Sequence, residues 1–262
     1  MTRAMDRRTL LQALAGIPLL AACGVRAQAA EPVIARLIGE ARALPADATV
    51  AQRIDLIARA LHGVRYRANT LIGGPQQPEE FVVRDDAFDC VTYCETVLAA
   101  ALARDYPEFE AQLRKIRYAN GEVRWDERNH YFSEWSRQAV EHGFCVPVAD
   151  ALAVTIGKTV NWGNLGRRQV SMRGIPRATL LANRKLLASG DIVGFVSRRP
   201  ALDFFHTGFI AFGRRGELLL RHASQSRGRV LDERMDRFVA VNGVRHVTLL
   251  RAVEKPVVAG RP

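Results

Sequence analysis

Residues 206–224, HTGFIAFGRRGELLLRHAS, decide how the second half of the chain folds. They read as two strands with turn residues between them. A three-residue loop at 214–216, with Gly216 in the left-handed conformation, is a common hairpin type. That loop pairs Gly213 with Glu217 and thereby predicts the register of the whole hairpin.

The predicted register brings two histidines together. His222 lies opposite Gly208 and diagonal to His206, on the same face of the sheet. A two-residue loop would instead place the two imidazoles on opposite faces. Taken singly, His206 reads as a strand-edge residue and His222 as a half-buried histidine bonded to backbone. Taken together, they predict an imidazole pair at one end of a sheet.

The remainder of the chain indicates an α+β fold. Helical periodicity precedes residue 145 and strand periodicity follows residue 190, and helices followed by an antiparallel sheet are typical of a single α+β domain. The predicted helices cover residues 33–44, 51–62, 90–103, 107–117 and 130–142, and the predicted strands cover 190–197, 206–213, 217–224 and 244–253. Residues 145–190 carry no pattern that assigns them.

A second stretch, FDCVTYCET at residues 88–96, contains two cysteines one helical turn apart. Asp89 is a good N-cap, which places Cys90 in the first turn of a helix. The backbone N–H groups and the helix dipole at that end are expected to lower the thiol pKa, and the same N–H groups can hold an oxyanion. Cys94 lies one turn deeper in an apolar run, where a thiol is expected to be inert core.

Three interpretations of the cysteines are open at this point. A disulfide between Cys90 and Cys94 would be strained, because both Cβ atoms point along one helix face. A zinc site built from Cys90, His206 and His222 is an alternative, although a pair four residues apart does not resemble the usual short-spaced zinc ligands. The third interpretation is a triad of thiolate, base and a group that orients the base.

These motifs, with SGDIVGF at 189–195, resemble the NlpC-type peptidoglycan cysteine peptidases, which are papain-like. The chain resembles more closely their N-acetylmuramoyl-L-alanine amidase-like branch, over roughly residues 55–250. The matching motifs are DCVT at 89–92, RNHYFSEW at 128–135 and DFFHTG at 203–208. The implied fold is papain-like, with N-terminal helices and the nucleophile helix packed on a C-terminal antiparallel sheet.

The resemblance implies a role for each matched residue: Cys90 is the nucleophile, His206 the base and His222 the partner that orients the base. The implied reaction is hydrolysis of peptidoglycan or muropeptides at the amide between N-acetylmuramic acid and L-alanine, with neither a cofactor nor a metal. The common branch of the superfamily has a serine after its cysteine, whereas this chain has Val91. That departure puts the dipeptide specificity of the common branch in doubt.

Further residues are predicted to bind the substrate. Arg128, His130 and Tyr131 can line a cleft and bind a carboxylate, since a guanidinium reads carboxylates bidentately; the alternative is an ordinary helix start. Asp203 can assist substrate binding by pairing with a nearby base, or can cap a turn. The remaining candidates for the cleft are two aromatic residues, Tyr66 and Trp162.

The amino terminus indicates export. Arg7 and Arg8 precede an apolar run at 10–22 that is too short for a permanent membrane span, and the segment resembles a twin-arginine signal. LAAC ending at Cys23 resembles a lipoprotein box, in which that cysteine is acylated, whereas AQA at 27–29 is an alternative cleavage site. The predicted location is the periplasm, with anchoring to the membrane through Cys23.

The net charge of +11 invites a nucleic-acid interpretation, but the basic residues are scattered singly and in pairs rather than in a stripe. An exported basic protein suits an anionic envelope polymer or lipid headgroups, and no nucleic-acid partner is expected. The predicted divisions are a signal peptide at 1–22, a linker and helix at 23–50, the papain-like amidase domain at 51–255 and a tail at 256–262.

Two other functions stay open. One is a γ-D-glutamyl-diamino acid endopeptidase, which would cut further along the stem peptide. The other is an inactive papain-like lipoprotein that binds peptidoglycan. The residues alone do not decide between the amide of N-acetylmuramic acid with L-alanine and the γ-D-glutamyl bond.

Overall fold

A computed structural model describes residues 31–161 and 165–254. The predicted signal peptide at 1–22, the lipidation residue Cys23, the cleft candidate Trp162 and the predicted tail at 256–262 lie outside these residues. Within the described part of the chain, none of the helices is both long and apolar enough to span a bilayer.

The described residues form seven α-helices and twelve strands. The helices are α1 (Val33–Arg42), α2 (Val50–Ala60), α3 (Cys90–Leu102), α4 (Tyr106–Arg117), α5 (Phe132–Glu141), α6 (Arg177–Ala182) and α7 (Met235–Val241). The strands are β1 (Arg65–Tyr66), β2 (Ile72–Gly74), β3 (Gln77–Glu80), β4 (Ala87–Phe88), β5 (Cys145–Pro147), β6 (Val154–Asn161), β7 (Arg167–Pro176), β8 (Ile192–Val196), β9 (Phe204–Phe212), β10 (Leu218–Ser224), β11 (Arg229–Arg234) and β12 (His246–Ala252).

The α+β prediction is confirmed, and each predicted helix and strand is present with small shifts of its ends. The helix expected from residue 130 begins at Phe132, so His130 precedes it. The unassigned segment 145–190 contains β5, the β6–β7 hairpin and α6. The sequence also gave no sign of β11 and α7, which lie between two strands that were predicted.

Most strands join one sheet. Its order is β4-β1-β11-β10-β9-β8-β12-β7-β6, with β5 paired to β12, while β2 and β3 form a separate two-stranded sheet. The strand pairs are antiparallel except for β1 with β4. Strands β9 and β10 are therefore interior strands, with a partner on each side.

The sheet separates two hydrophobic clusters. One contains buried residues of α1–α5 and the β9 residue Phe209; the other contains residues of α6 and α7 together with Ile210. Phe209 and Ile210 are neighbours in the chain, and successive side chains of a strand point to opposite faces of its sheet. Helix α1 packs in the first cluster through Leu37, so residues before the predicted boundary at 50 share the core of the domain.

Candidate active site

Cys90 is the first residue of α3, as the sequence predicted. The Asp89 carboxylate accepts hydrogen bonds from the backbone N–H groups of Val91 and Thr92, and the Thr92 hydroxyl accepts one from the Asp89 N–H. This reciprocal capping box satisfies the amides that a helix start leaves open and fixes where the helix begins. Cys90 as a whole residue keeps intermediate exposure.

The side chains of α3 pack against the rest of the protein. Ten of its residues are buried, including Cys94 at 1% exposure. Glu95, also buried, forms an ion pair with Arg117 of α4 at 2.8 Å, with both side chains 2% exposed. The ring of Tyr93 packs edge-on against Phe209 of β9, with the ring centroids 5.7 Å apart. Helix α3 therefore holds Cys90 in a defined position against the sheet.

The β9–β10 hairpin has the predicted register. Gly216 has φ +77°, and the Gly213 N–H donates to the carbonyl oxygen of Glu217 at 2.9 Å. Arg221 pairs with Phe209, which places His222 opposite Gly208. A Cβ at Gly208 would lie 2.9 Å from the Cβ of His222, so the close approach of the two strands requires glycine there.

The two histidines meet as the register predicts. The Nε2 atom of His206 lies 2.6 Å from Nδ1 of His222, and the two rings are perpendicular. His222 is 1% exposed, while His206 has intermediate exposure. The hydrogen bond uses one nitrogen of each ring and leaves Nδ1 of His206 available to a reacting group.

Aromatic side chains hold this pair in place. The ring of Phe238, on α7, has its centroid 5.5 Å from that of each imidazole. Phe195 of β8 stacks on His206 with the centroids 6.2 Å apart. The pairing of β8 with β9 shifts by one residue at Phe205, and such a bulge re-aims the side chains next to it.

Cys90 approaches β9 at Thr207, the residue after His206. The backbone N–H groups of Thr207, Cys90 and Val91 hydrogen-bond to the sulfur and favour its thiolate form. One turn along α3, the Cys94 sulfur lies 3.8 Å from the Thr207 hydroxyl. Among the hydrogen bonds of the described residues, none joins the Cys90 sulfur to His206. The structure thus brings the thiol to the strand residue that follows His206.

The thiol pKa is shifted in the direction opposite to the one expected. Burial raises the pKa of Cys90 to about 12, and the Asp89 carboxylate adds to the rise. The backbone N–H groups oppose this shift but do not overcome it. The prediction of a depressed thiol pKa at the helix start is therefore wrong, because the thiol is desolvated and the capping residue adds a negative charge beside the sulfur.

The histidines are also held neutral. Burial lowers the pKa of His206 to about 3, and the nearby His222 adds to the fall. Burial lowers the pKa of His222 to about 4, against the carboxylate of Asp232. A neutral thiol and a neutral imidazole pair are thus the resting state of the site.

The geometry gives no support to the zinc interpretation. Two ring nitrogens 2.6 Å apart face each other, which leaves no space between them for an ion that both could bind. In the part of the chain that the structure describes, three or more His, Cys, Asp or Glu side chains nowhere converge as metal ligands would. Cys90, Cys94 and Cys145 are free thiols.

Residues 56–244 match the model of the AmiA-like family, which is described as N-acetylmuramoyl-L-alanine amidase-like. The chain belongs to this family. The resemblance read from the sequence over roughly residues 55–250 is confirmed at that level.

Solved structures resemble the fold of this amidase-like protein. An N-acetylmuramoyl-L-alanine amidase from Bacteroides uniformis is 25% identical, with a TM-score of 0.70 over 78% of this chain and 99% of that one. A protein from Legionella pneumophila is 22% identical, with a TM-score of 0.73 over 86% of this chain and 95% of that one. No curated protein matches the chain.

Three of the four predicted substrate-binding residues of this amidase-like chain lie just before α5, and they are engaged within the protein. Arg128 donates to the buried carboxylate of Glu79 on β3 at 3.0 Å. The Nε2–H of His130 donates to the Trp125 carbonyl oxygen at 2.7 Å, and burial lowers the His130 pKa to about 4. Tyr131 is 1% exposed. A role of these residues in binding substrate stays a prediction.

Asp203 is 2% exposed and bonds to backbone. Its Oδ2 accepts from the N–H of Ser133 in the first turn of α5, and its Oδ1 accepts from the N–H of Phe204, both at 2.7 Å. This geometry favours the turn-capping alternative over the substrate-binding one. Asp203 thereby ties the start of β9, and with it His206, to α5.

Tyr66 is the cleft candidate that the structure places near Cys90. Burial raises its pKa to about 12, and Cys90, when it is ionised, and the Asp89 carboxylate add to the rise. Its phenol therefore stays protonated and can donate a hydrogen bond.

Two features next to the site were not predicted from the sequence, the Thr207 N–H and the Glu233 carboxylate. Pairing β11 with β10 would have identified the second, but β11 was not predicted.

Proposed function

We propose that this protein is a cysteine-dependent hydrolase of peptidoglycan or muropeptides that cleaves the amide between N-acetylmuramic acid and L-alanine. The observation that carries the proposal is the placement of the Cys90 thiol, at the start of α3, against the strand that bears His206, whose ring is bonded to His222. The family described as N-acetylmuramoyl-L-alanine amidase-like supports the substrate class and the bond. We infer a papain-like, NlpC-type arrangement of the site on the same grounds.

The first half of the reaction forms a thioester. Nδ1 of His206 takes the proton from the Cys90 thiol as the sulfur attacks the lactyl carbonyl carbon of the substrate. Because both groups rest neutral, no ion pair has to exist beforehand, and the proton moves as the bond forms. The tetrahedral intermediate then collapses, and His206 returns the proton to the departing amine of L-alanine.

The second half of the reaction releases the acyl group. His206, neutral again, takes a proton from water, and the resulting hydroxide attacks the thioester carbonyl. The thiolate leaves and is reprotonated by His206, which regenerates the resting pair. The products are a muramoyl carboxylate and a stem peptide with a free L-alanine amine.

Backbone amides are suited to stabilise the oxyanion. In the first turn of α3, Val91 and Thr92 donate to the Asp89 side chain and Tyr93 donates to its carbonyl oxygen. Within the part of the chain that the structure describes, the Cys90 N–H has no such acceptor, and it lies beside the sulfur. We propose that it binds the developing oxyanion, where a fixed donor contributes most in the transition state.

One observation favours a second candidate, a peptidoglycan-binding protein without activity. The raised pKa of Cys90 and the lack of a hydrogen bond from its sulfur to His206, among the described residues, fit an unreactive thiol. Catalytic hydrogen bonds are often long before substrate binds, so the hydrolase is the better supported reading.

We also propose that the protein is exported and anchored in the periplasm through acylated Cys23. The charged residues followed by a short apolar run and LAAC support this. Labelling of cells with a fatty-acid analogue tests it. Label on the wild-type protein that disappears in Cys23→Ser is expected, and an unlabelled wild-type protein would exclude the anchor.

The function is tested by digestion of purified muropeptides, with products identified by mass spectrometry. Wild-type protein should release stem peptides that begin with L-alanine, and Cys90→Ala should release none. Cys145→Ala, which removes a buried thiol elsewhere in the fold, is the matched control and should remain active. Cleavage after the glutamyl residue would keep the mechanism and change the bond. No cleavage by folded wild-type protein would favour the binding protein.

A further inference from the structure

His222 has a second contact that the triad does not use. Its Nε2 atom is buried and has no hydrogen-bond partner among the described residues. The nearest carboxylate oxygen, Oε2 of Glu233, lies 3.6 Å away. The Glu233 side chain is 23% exposed, so it retains room to move toward the ring.

The positions of the protons on the two rings show why His222 needs an acceptor at Nε2. If His206 is to accept a proton at Nδ1, its own proton must sit on Nε2, because a neutral imidazole carries one. That proton points at Nδ1 of His222, 2.6 Å away, which must then be the acceptor. His222 therefore carries its proton on Nε2, and a buried N–H needs an acceptor.

The sheet places Glu233 where that acceptor is required. β11 pairs with β10 so that Glu233 is opposite Leu220 and Leu231 is opposite His222. Glu233 is thus the diagonal neighbour of His222 on the same face of the sheet. Asp232, the preceding residue, points to the other face, where it forms an ion pair with Arg221.

We propose that Glu233 is a positioning residue, whose carboxylate accepts the Nε2–H of His222 and thereby holds both imidazoles in the tautomers that leave Nδ1 of His206 free to act as base. The assignment rests on the proposed function for its catalytic consequence. When the Cys90 proton reaches His206, the positive charge spreads to His222 through their hydrogen bond, and the Glu233 carboxylate stabilises it. Glu233 itself neither gains nor loses a proton.

Three variants separate positioning from stability. Glu233→Ala removes the acceptor and the charge, while Glu233→Gln keeps an acceptor oxygen and removes only the charge. Asp236→Asn removes a carboxylate three residues further on that is paired with Arg234 at the surface, and is the matched control. With muropeptide substrate, Glu233→Ala should lower kcat about 10- to 100-fold with little change in KM, Glu233→Gln should lower it less, and the control should match wild type.

The tautomers are read directly by NMR of protein labelled with ¹⁵N in the histidine rings. In the wild type, His222 should carry its proton on Nε2; in Glu233→Gln this should persist, and in Glu233→Ala the Nδ1–H form should appear. A wild-type His222 protonated on Nδ1 would overturn the proposal, as would unchanged tautomers and kcat in Glu233→Ala. If the alanine variant does not fold, the wild-type spectrum and Glu233→Gln still decide. A wild-type protein that cleaves nothing would refute the proposed function, while the spectra would still establish or exclude the contact.

Discussion

Gly208→Ala should damage the histidine pair from within the sheet. An ideal Cβ at this position lies 2.7 Å from the Arg221 carbonyl oxygen, 2.8 Å from a methyl carbon of Leu220 and 2.9 Å from the Cβ of His222. Ordinary contacts begin near 3.4 Å. Strand β10 would therefore have to retreat by about half an ångström or more, and its backbone cannot do so without carrying His222 with it.

The consequence can be worked from the hydrogen bond between the rings. His206 and His222 are joined at 2.6 Å, so a retreat of about half an ångström takes the bond to the long end of the range for hydrogen bonds. Overpacking of this kind costs about 1–3 kcal/mol of stability. Misplacement of a catalytic group on this scale should also reduce kcat, by about tenfold or more.

Urea unfolding and turnover of purified muropeptides measure the two effects. Gly157→Ala on β6 is the matched control, because a Cβ there meets nothing within 4 Å. We expect the control to fall within about 0.5 kcal/mol of wild type and to retain its activity. A Gly208→Ala protein as stable and as active as wild type would refute the account of how the two strands position the histidines.

Three further outcomes follow from the charges in the core and at the site. Glu95→Ala should lower the free energy of unfolding by about 3–5 kcal/mol in urea titrations, because it leaves the Arg117 guanidinium buried without its partner; a loss below about 1 kcal/mol would contradict this. Asp89→Asn should lower the pKa of Cys90, since the Asp89 charge raises it, so the pH profile of iodoacetamide alkylation should move to lower pH; an unchanged or higher thiol pKa would count against the assignment. The free energy of unfolding should fall as pH drops from 6.5 to 4, because His222 binds a proton in the unfolded chain but stays neutral in the folded protein, where its pKa is lowered to about 4. The loss from this ring is about 3 kcal/mol. A urea midpoint that is flat over this range would exclude it.

The site was largely predictable where local chemistry sets the structure. An aspartate before an apolar run indicates an N-cap, and Cys90 does begin α3. A three-residue loop with glycine at its end sets the register of a hairpin, and that register alone places His206 and His222 together. Both inferences depend on a few adjacent residues and on geometry that is common to all proteins.

The features that could not be predicted depend on contacts between distant parts of the chain. The thiol pKa was expected to fall, but burial and the charge of Asp89 outweigh the backbone amides, and burial is known only once the fold is assembled. The contact of Glu233 with His222 requires β11, which the sequence did not reveal. The sequence did not decide whether Asp203 binds substrate or caps a turn, because its partner, the Ser133 N–H of α5, is 70 residues away in the chain.

The most direct test of the central claim is to trap the acyl group on the protein. Wild-type protein is mixed with muropeptide and quenched in acid within the first turnover, and the intact and digested protein is analysed by mass spectrometry. We expect a mass increase equal to the muramoyl fragment, located on the peptide that contains Cys90 and absent in Cys90→Ala. Hydrolysis of the substrate by Cys90→Ala at the wild-type rate would contradict it.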